Sequence, residues 1–197
     1  MSGSEDESPQ GGEVARIVRE LLRAVGEDPS REGLQRTPLR AERSWAELLS
    51  GRSTSVAEVI GQGVFHEDCS EMVLVKDIEF YSLCEHHLLP FYGRVHVGYI
   101  PDGRIIGLSK IPRIVDLFAR RLQVQERMTS QIAEALQDAL QPKGVGVVAD
   151  GVHLCMMMRG VQKQNSSAMT SCLLGSFQSD AKTRNEFLAF VRSFNHH

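Results

Sequence analysis

The sequence predicts an α+β fold: a helical N-terminal region, then an antiparallel sheet with a pair of helices inserted between its strands. Three observations carry this. Apolar residues recur at helical spacing near the start and again from Val124 to Leu140. Strand-like runs occupy the segments from Met72 to Pro101 and from Val145 onward. No internal repeat or long linker interrupts the chain, and 197 residues suffice for one substantial core with a helical appendage.

Residues 1–12 (MSGSEDESPQGG) are acidic and poor in apolar side chains, which predicts disorder. From Glu13, the series Val14, Ile17, Val18, Leu21, Leu22 and Val25 marks a helix that Gly26 stops. After the turn-rich GEDPSREGLQR, Thr37-Pro38 starts a second helix through Trp45, Leu48 and Leu49 to Gly51. The domain division is 1–12 as an acidic tail, 13–65 as a helical region and 66–197 as the catalytic domain. MVLVKDIEFYSLC and FYGRVHVGYIP read as strands, with Pro-Asp-Gly as a turn. Ser109 is placed as the cap of a helix bearing Ile111, Ile114, Val115 and Phe118, with Pro112 tolerated in its first turn. The Val124–Leu140 helix ends at Pro142 to Gly144, and two strands follow, VGVVA and GVHLCMMMRG. A last strand spans Ser167 to Phe177, and a closing helix carries Phe187, Leu188, Val191 and Phe194.

Charge and composition exclude several classes. With 22 basic and 25 acidic residues the net charge is −3, so bulk electrostatics do not favour nucleic acid, and an anionic ligand needs a local basic cluster. No apolar run approaches the roughly 18 residues that span a bilayer. The acidic start is the opposite of a secretory signal, which predicts a cytoplasmic protein without membrane contact. In such a reducing compartment, the four cysteines are read as metal ligands or nucleophiles before disulfides.

The densest chemistry lies in SLCEHHLLPF. Cys84 and His87 have the spacing to reach one metal from a turn at a strand end, and a thiolate with an imidazole suits zinc. Cys155, read as mid-strand in VHLCMMM, shares a face with His153 under two-residue alternation and supplies a third ligand. An isolated C-x2-H is a weak signal, since buried cysteines and satisfied histidines are ordinary core residues. His86 and His153 strengthen it, being more imidazoles than a core normally holds. Without a second close Cys/His pair, three ligands plus water, the catalytic arrangement, fits better than a closed four-ligand site. Cys69 and Cys172 are the alternative fourth ligands.

GLSK at 107–110 opens a helix whose N–H groups favour an anion. Ser109, Lys110 and Arg113 lie there, and Arg159 and Lys163 follow Cys155. Each alone reads as solvated surface; together they suggest a phosphate pocket that is neither P-loop nor Rossmann. Gln125 and Glu126 begin the next helix. Glu126 is either a first-turn acid complementing the helix dipole or a carboxylate matched to the donor–donor edge of guanine.

The ordered blocks CEHHLLPF, GLSKIPRIV, RRLQVQER, GVGVV, HLCMMMRGVQK and TSCLLGSF, with GEDPSREGLQRTPLRAERSW upstream, resemble the GTP cyclohydrolase I family over about residues 13–193. The resemblance implies a tunnelling fold (T-fold), with a four-stranded antiparallel sheet and two helices per subunit plus N-terminal helices. Sheets would join into a barrel, and two pentamers would stack into a homodecamer with sites between subunits. It further implies zinc on Cys84, His87 and Cys155, acid–base roles for His86 and His153, and guanine recognition by Glu126 with Gln125. Ser109, Lys110, Arg113 and Arg159 match triphosphate-binding positions, and Arg40 is matched to an arginine that reaches a neighbour's phosphates. The implied reaction turns GTP into 7,8-dihydroneopterin triphosphate and formate, the first step of folate and pterin biosynthesis. Pro112 and the SSAMTSC segment depart from the family pattern without removing a functional group. A related NADPH-dependent reductase would want a cysteine nucleophile, a pyruvoyl-tetrahydropterin-synthase-like enzyme a three-histidine site, and a zinc-stabilised scaffold would have no use for His86 and His153.

Overall fold

A computed structural model describes residues 11–161 and 166–193. Lys163, Phe194 and the acidic residues 1–10 lie outside the described residues. The chain divides into two compact units, Met1–Leu49 and Ser50–His197. Residues 50–65, which the sequence reading groups with the N-terminal helices, therefore fall in the second unit.

The first unit is a pair of helices, α1 (Glu13–Ala24) and α2 (Thr37–Leu48). Pro38 stands at the start of α2, where its missing N–H costs nothing. Gly12 gives α1 no side-chain cap. The carboxylate of Glu42, on α2, supplies one instead by accepting from the N–H groups of Gly12 at 3.0 Å and Ala15 at 3.2 Å. Of the apolar series on α1, Val14, Ile17, Leu21 and Val25 remain exposed.

The second unit opens with a 3-10 turn (Ser50–Arg52) and the short helix α3 (Val56–Ile60), which starts in a Ser55/Glu58 capping box. Strand β1 (Val64–His66) comes next, followed by the long strands β2 (Val73–Cys84) and β3 (Pro90–Ile100), then β4 (Arg104–Ile106). Helix α4 (Lys110–Ala119), strand β5 (Leu122–Gln123) and helix α5 (Gln125–Leu140) lead to strand β6 (Gly144–His153) and helix α6 (Leu154–Met157). Strand β7 (Ala168–Gly175) and helices α7 (Ser176–Ser179) and α8 (Ala181–Arg192) complete the unit.

The main sheet has the order β5-β2-β3-β6-β7. It has five strands where the resemblance implies four: β2, β3, β6 and β7 pair antiparallel, and the two-residue β5 pairs parallel with β2 through Leu83 with Leu122 and Cys84 with Gln123. β1 and β4 make a separate two-stranded ribbon. Alternation sorts the faces. On β3, Phe91, Val95, Val97 and Tyr99 join Ile111, Ile114 and Val115 of α4 and Met128, Ile132 and Leu136 of α5 in the main core. Opposite, Phe187 of α8 and Phe177 of α7 pack against Val148, with Met72, Leu74 and Ile100 at the edge of this second cluster.

Two local expectations change. The segment GVGVVADGVHLCMMM is not two strands: β6 runs unbroken to His153, and Cys155 sits in the single helical turn of α6. The ladder stops there because its partners end, β3 at the pair Phe91–His153 and β7 at Gly151–Ala168. Without strand neighbours the backbone bonds locally, Met158 N–H to Leu154 C=O at 3.0 Å. Ser109 does not cap α4; it is already helical in backbone and its hydroxyl makes no cap bond. No helix among the described residues is long and apolar enough to cross a membrane.

Candidate metal centre and its surroundings

The end of β2 and the turn that follows place the first ligands. Leu88 and His87 N–H groups both return to the Cys84 carbonyl, at 2.8 Å and 3.3 Å, and Cys84 N–H donates to Leu89 at 2.9 Å. Leu88 adopts the left-handed conformation, φ 56°, that closes so tight a turn. The turn holds Cys84 in the core and leaves His86 and His87 exposed. The Cys84 sulfur lies 3.9 Å from Nδ1 of His87 and 4.0 Å from Nδ1 of His86.

Cys155 comes to the same point from α6. One ligand atom from each of Cys84, His87 and Cys155 lies within 4.8 Å of the others. Tetrahedral zinc with Zn–S of about 2.3 Å and Zn–N of about 2.1 Å separates ligand atoms by roughly 3.6 Å, so a small contraction of this set would enclose the ion. Two soft sulfurs and an imidazole are a donor set that zinc favours. Burial, and after it the neighbouring Cys84 sulfur, push the Cys155 thiol above the ordinary thiol range. The Cys155 thiol thus resists ionising unaided, and a cation bound beside it would reverse that balance.

His153, the last residue of β6, stacks face to face on Phe91 at 4.6 Å and 5°. Its Nε2 lies 2.8 Å from Oε1 of Gln125. Burial holds its pKa below the ordinary histidine value, partly countered by the Glu126 carboxylate. The Gln125 side chain differs from the expected guanine reader: it is 2% exposed and turned into the protein. Its Nε2 donates to the carbonyls of Ala149 at 3.1 Å and Ala168 at 2.7 Å, with Thr170 Oγ1 at 3.2 Å. Those carbonyls accept only, which fixes which end of the amide is nitrogen. Oε1 is therefore an acceptor, and His153 must carry its proton on Nε2, leaving Nδ1 as the basic nitrogen. Glu126, one position on, is exposed.

The basic residues do not all join this cluster. Lys110 and Arg113 line a cavity of about 340 Å³ with Ser50, Thr54, Glu58 and Arg120, among others, and none of the metal set or His153 is in its wall. Lys110 Nζ donates to the Val59 carbonyl at 3.0 Å. Ser109 is exposed at the start of α4. Arg159 follows α6 and is exposed, near enough to Cys155 for its charge to draw that thiol's pKa down slightly. Arg40 is exposed on α2, in the other unit.

From the sequence, Glu85 is expected to make a structural or supporting hydrogen bond with no direct role at the metal, and Arg127 is missed. The Glu85 carboxylate accepts from both terminal nitrogens of Arg127, at 2.6 Å and 2.8 Å. Their separation of 42 residues left no local pattern to find.

The family model for GTP cyclohydrolase I matches residues 14–192. Curated relatives named GTP cyclohydrolase 1 include one from Deinococcus radiodurans, 61% identical over 89% of this chain and 82% of its own length. One from Leptospira biflexa is 58% identical over 93% of this chain and all of the relative. One from Rattus norvegicus is 53% identical over 91% of this chain and 75% of the relative. Matches of this extent over both units leave one assignment: the chain is an enzyme, a hydrolase, and belongs to the GTP cyclohydrolase I family.

Proposed function

We propose that the protein hydrolyses and rearranges GTP to 7,8-dihydroneopterin triphosphate with release of formate, using zinc held by Cys84, His87 and Cys155. The observation that carries this is the convergence of those three ligand atoms within 4.8 Å beside a histidine of defined tautomer. Held there with an open position, zinc would supply Lewis acidity at C8 of the guanine.

The chain's own groups divide the remaining work. Glu126, exposed at the first turn of α5, accepts from the N1–H and amino group of guanine and sets C8 toward the metal set. His153 works through Nδ1, since Nε2–H is committed to Gln125; it takes a proton there from the water that adds to C8 and delivers it to N7, after which the C8–N9 bond breaks and the imidazole ring opens. A second hydrolysis releases C8 as formate. His86, at the solvent side of the turn, moves protons at the ribose as that ring opens and rearranges. Ring closure with loss of water completes the pterin. Ser109, Lys110, Arg113 and Arg159 hold the triphosphate through these steps, with Arg40 reaching a neighbouring subunit's phosphates.

A decamer of two pentamers, its sheets joined into a barrel, would unite these groups at subunit interfaces. The separation of the Lys110–Arg113 cavity from the metal set supports that assembly, as does the exposed apolar series on α1. The reading places the enzyme in the cytoplasm, at the first step of folate or pterin synthesis, with residues 66–197 as the catalytic domain.

Incubation with GTP, followed by dihydroneopterin absorbance and formate, tests the proposal. Cys84→Ser and Cys155→Ser should lose bound zinc and formate release together. Formate at the wild-type rate from metal-free protein would sink the mechanism.

A further inference from the structure

Glu85 stands between Cys84 and the paired histidines, and Arg127 follows Gln125 and Glu126 on α5. The two-pronged contact between them therefore ties the metal-binding turn to the first turn of the helix that carries the guanine reader. The main chain repeats the link, with Glu85 N–H donating to the Gln123 carbonyl at 3.1 Å. Arg127 Nη1 also reaches Gln123 Oε1 at 3.4 Å. Gln123 itself is 2% exposed, and its Nε2 donates to the Phe118 carbonyl and to Gln131 Oε1. The guanidinium is thus seated on an anchored group.

Glu85 and Arg127 are 31% and 45% exposed in their side chains. An ion pair so exposed contributes little to stability. A bidentate guanidinium–carboxylate pair does something else well: it fixes orientation as well as distance. We propose that Glu85 and Arg127 are positioning residues that set Cys84 and His87 against Glu126, and so fix where guanine C8 falls relative to the metal set. The inference rests on the GTP reading above. Glu85 acts through the turn it belongs to, and Arg127 through the first turn of α5.

The test compares wild type, Glu85→Ala, Arg127→Ala, Arg127→Lys and the charge-exchanged double variant Glu85→Arg/Arg127→Glu. In the alanine variants kcat for GTP should fall about tenfold to a hundredfold, the cost of a misplacement on the order of 1 Å. Zinc content, the absorption spectrum of cobalt-substituted protein and the melting temperature should stay at wild-type values. GTP affinity of the metal-free protein should change less than about threefold, because uniform binding is retained. Arg127→Lys keeps the charge but loses the fork, and should fall between wild type and alanine. The double variant should recover most of the lost kcat. Wild-type kcat in both alanine variants overturns the proposal. So does a kcat loss that tracks zinc loss or melting, or a double variant no better than the singles. If wild type itself releases no formate from GTP, the functional reading fails instead, and the two failures are distinguished within one assay.

Discussion

Gln125 Oε1 accepts from His153 Nε2 at 2.8 Å, and the partners of the Gln125 amide nitrogen leave no other arrangement of protons. A glutamine at the start of α5 thereby decides which nitrogen of the last β6 residue is left free to exchange a proton. Gln125→Leu should preserve size and helix while releasing the imidazole to choose its tautomer. kcat should drop about a hundredfold, within the range an acid–base group contributes, with zinc content unchanged. Gln125→Glu keeps an acceptor toward His153 but sets a buried carboxylate oxygen against the Ala149 and Ala168 carbonyls, which cannot donate, so it should lose stability as well as kcat. Equal kcat for Gln125→Leu and wild type would show that the hydrogen bond has no part in turnover.

Gly151 makes that contact sterically feasible. A Cβ built there would lie 2.4 Å from Gln125 Oε1 and 3.2 Å from its Cδ. Gly151→Ala must displace a carboxamide that is anchored at both ends. The expected cost is about 1–3 kcal/mol of stability, as for other overpacked sites. A kcat loss approaching that of Gln125→Leu should accompany it. Denaturant unfolding of the two variants with GTP turnover measured alongside decides this; an alanine tolerated in both assays would mean that the amide moves freely.

How much of this was legible depends on where the cause lies. The Cys84–His87 turn could be read because its geometry is local, with ligands, spacing and strand end all in one stretch. The α5 helix could be read because Met128, Ile132, Leu136 and Leu140 repeat at helical spacing, and all four are fully buried. The end of β6 at His153 could not, since it is set by where β3 and β7 run out, a property of partners. The inward turn of Gln125, expected to join Glu126 in guanine recognition, was hidden for the same reason: its carbonyl acceptors, Ala149 and Ala168, lie on other elements. Cys155 does join Cys84 and His87 in a cluster that could hold a metal ion, though it arrives on a helical turn and not by strand alternation.

Phe187 anchors α8 on the sheet face opposite the metal centre. It is fully buried, meets Phe177 edge to face at 5.2 Å, and lies where Gly98 and Gly146 bring no side chain. Phe187→Ala should cost about 3–5 kcal/mol through lost burial and the cavity left behind. Because this cluster is separated from the metal set by the sheet, zinc affinity per folded molecule should remain at the wild-type value. Thermal melting and zinc titration check the two halves; a melting temperature within a degree of wild type would contradict the assigned role of α8.

His96 links stability to pH on that same open face. It is 6% exposed, and its Nδ1 accepts from the Asp77 N–H at 3.2 Å, where β2 bulges and Asp77 takes φ 57°. Burial holds its pKa below the ordinary histidine value; the Asp77 and Asp150 carboxylates oppose this, while Lys76 and Arg94 reinforce it. With the folded pKa below the unfolded one, the unfolded chain binds more protons between the two values, so stability rises with pH there. The His96 contribution is complete above about pH 6.5 and is lost as pH falls through that value toward the folded pKa, with a limiting slope of about 1.4 kcal/mol per pH unit. His96→Asn retains an acceptor for Asp77 N–H and has no proton to gain. Unfolding free energies of wild type and His96→Asn, compared at pH 7.5 and 5.5, should converge on acidification as wild type loses its advantage, while titration of the metal ligands cancels in the difference. A gap that is constant across this range would show that His96 takes up protons equally in the folded and unfolded chains, and would remove it as the source of acid sensitivity.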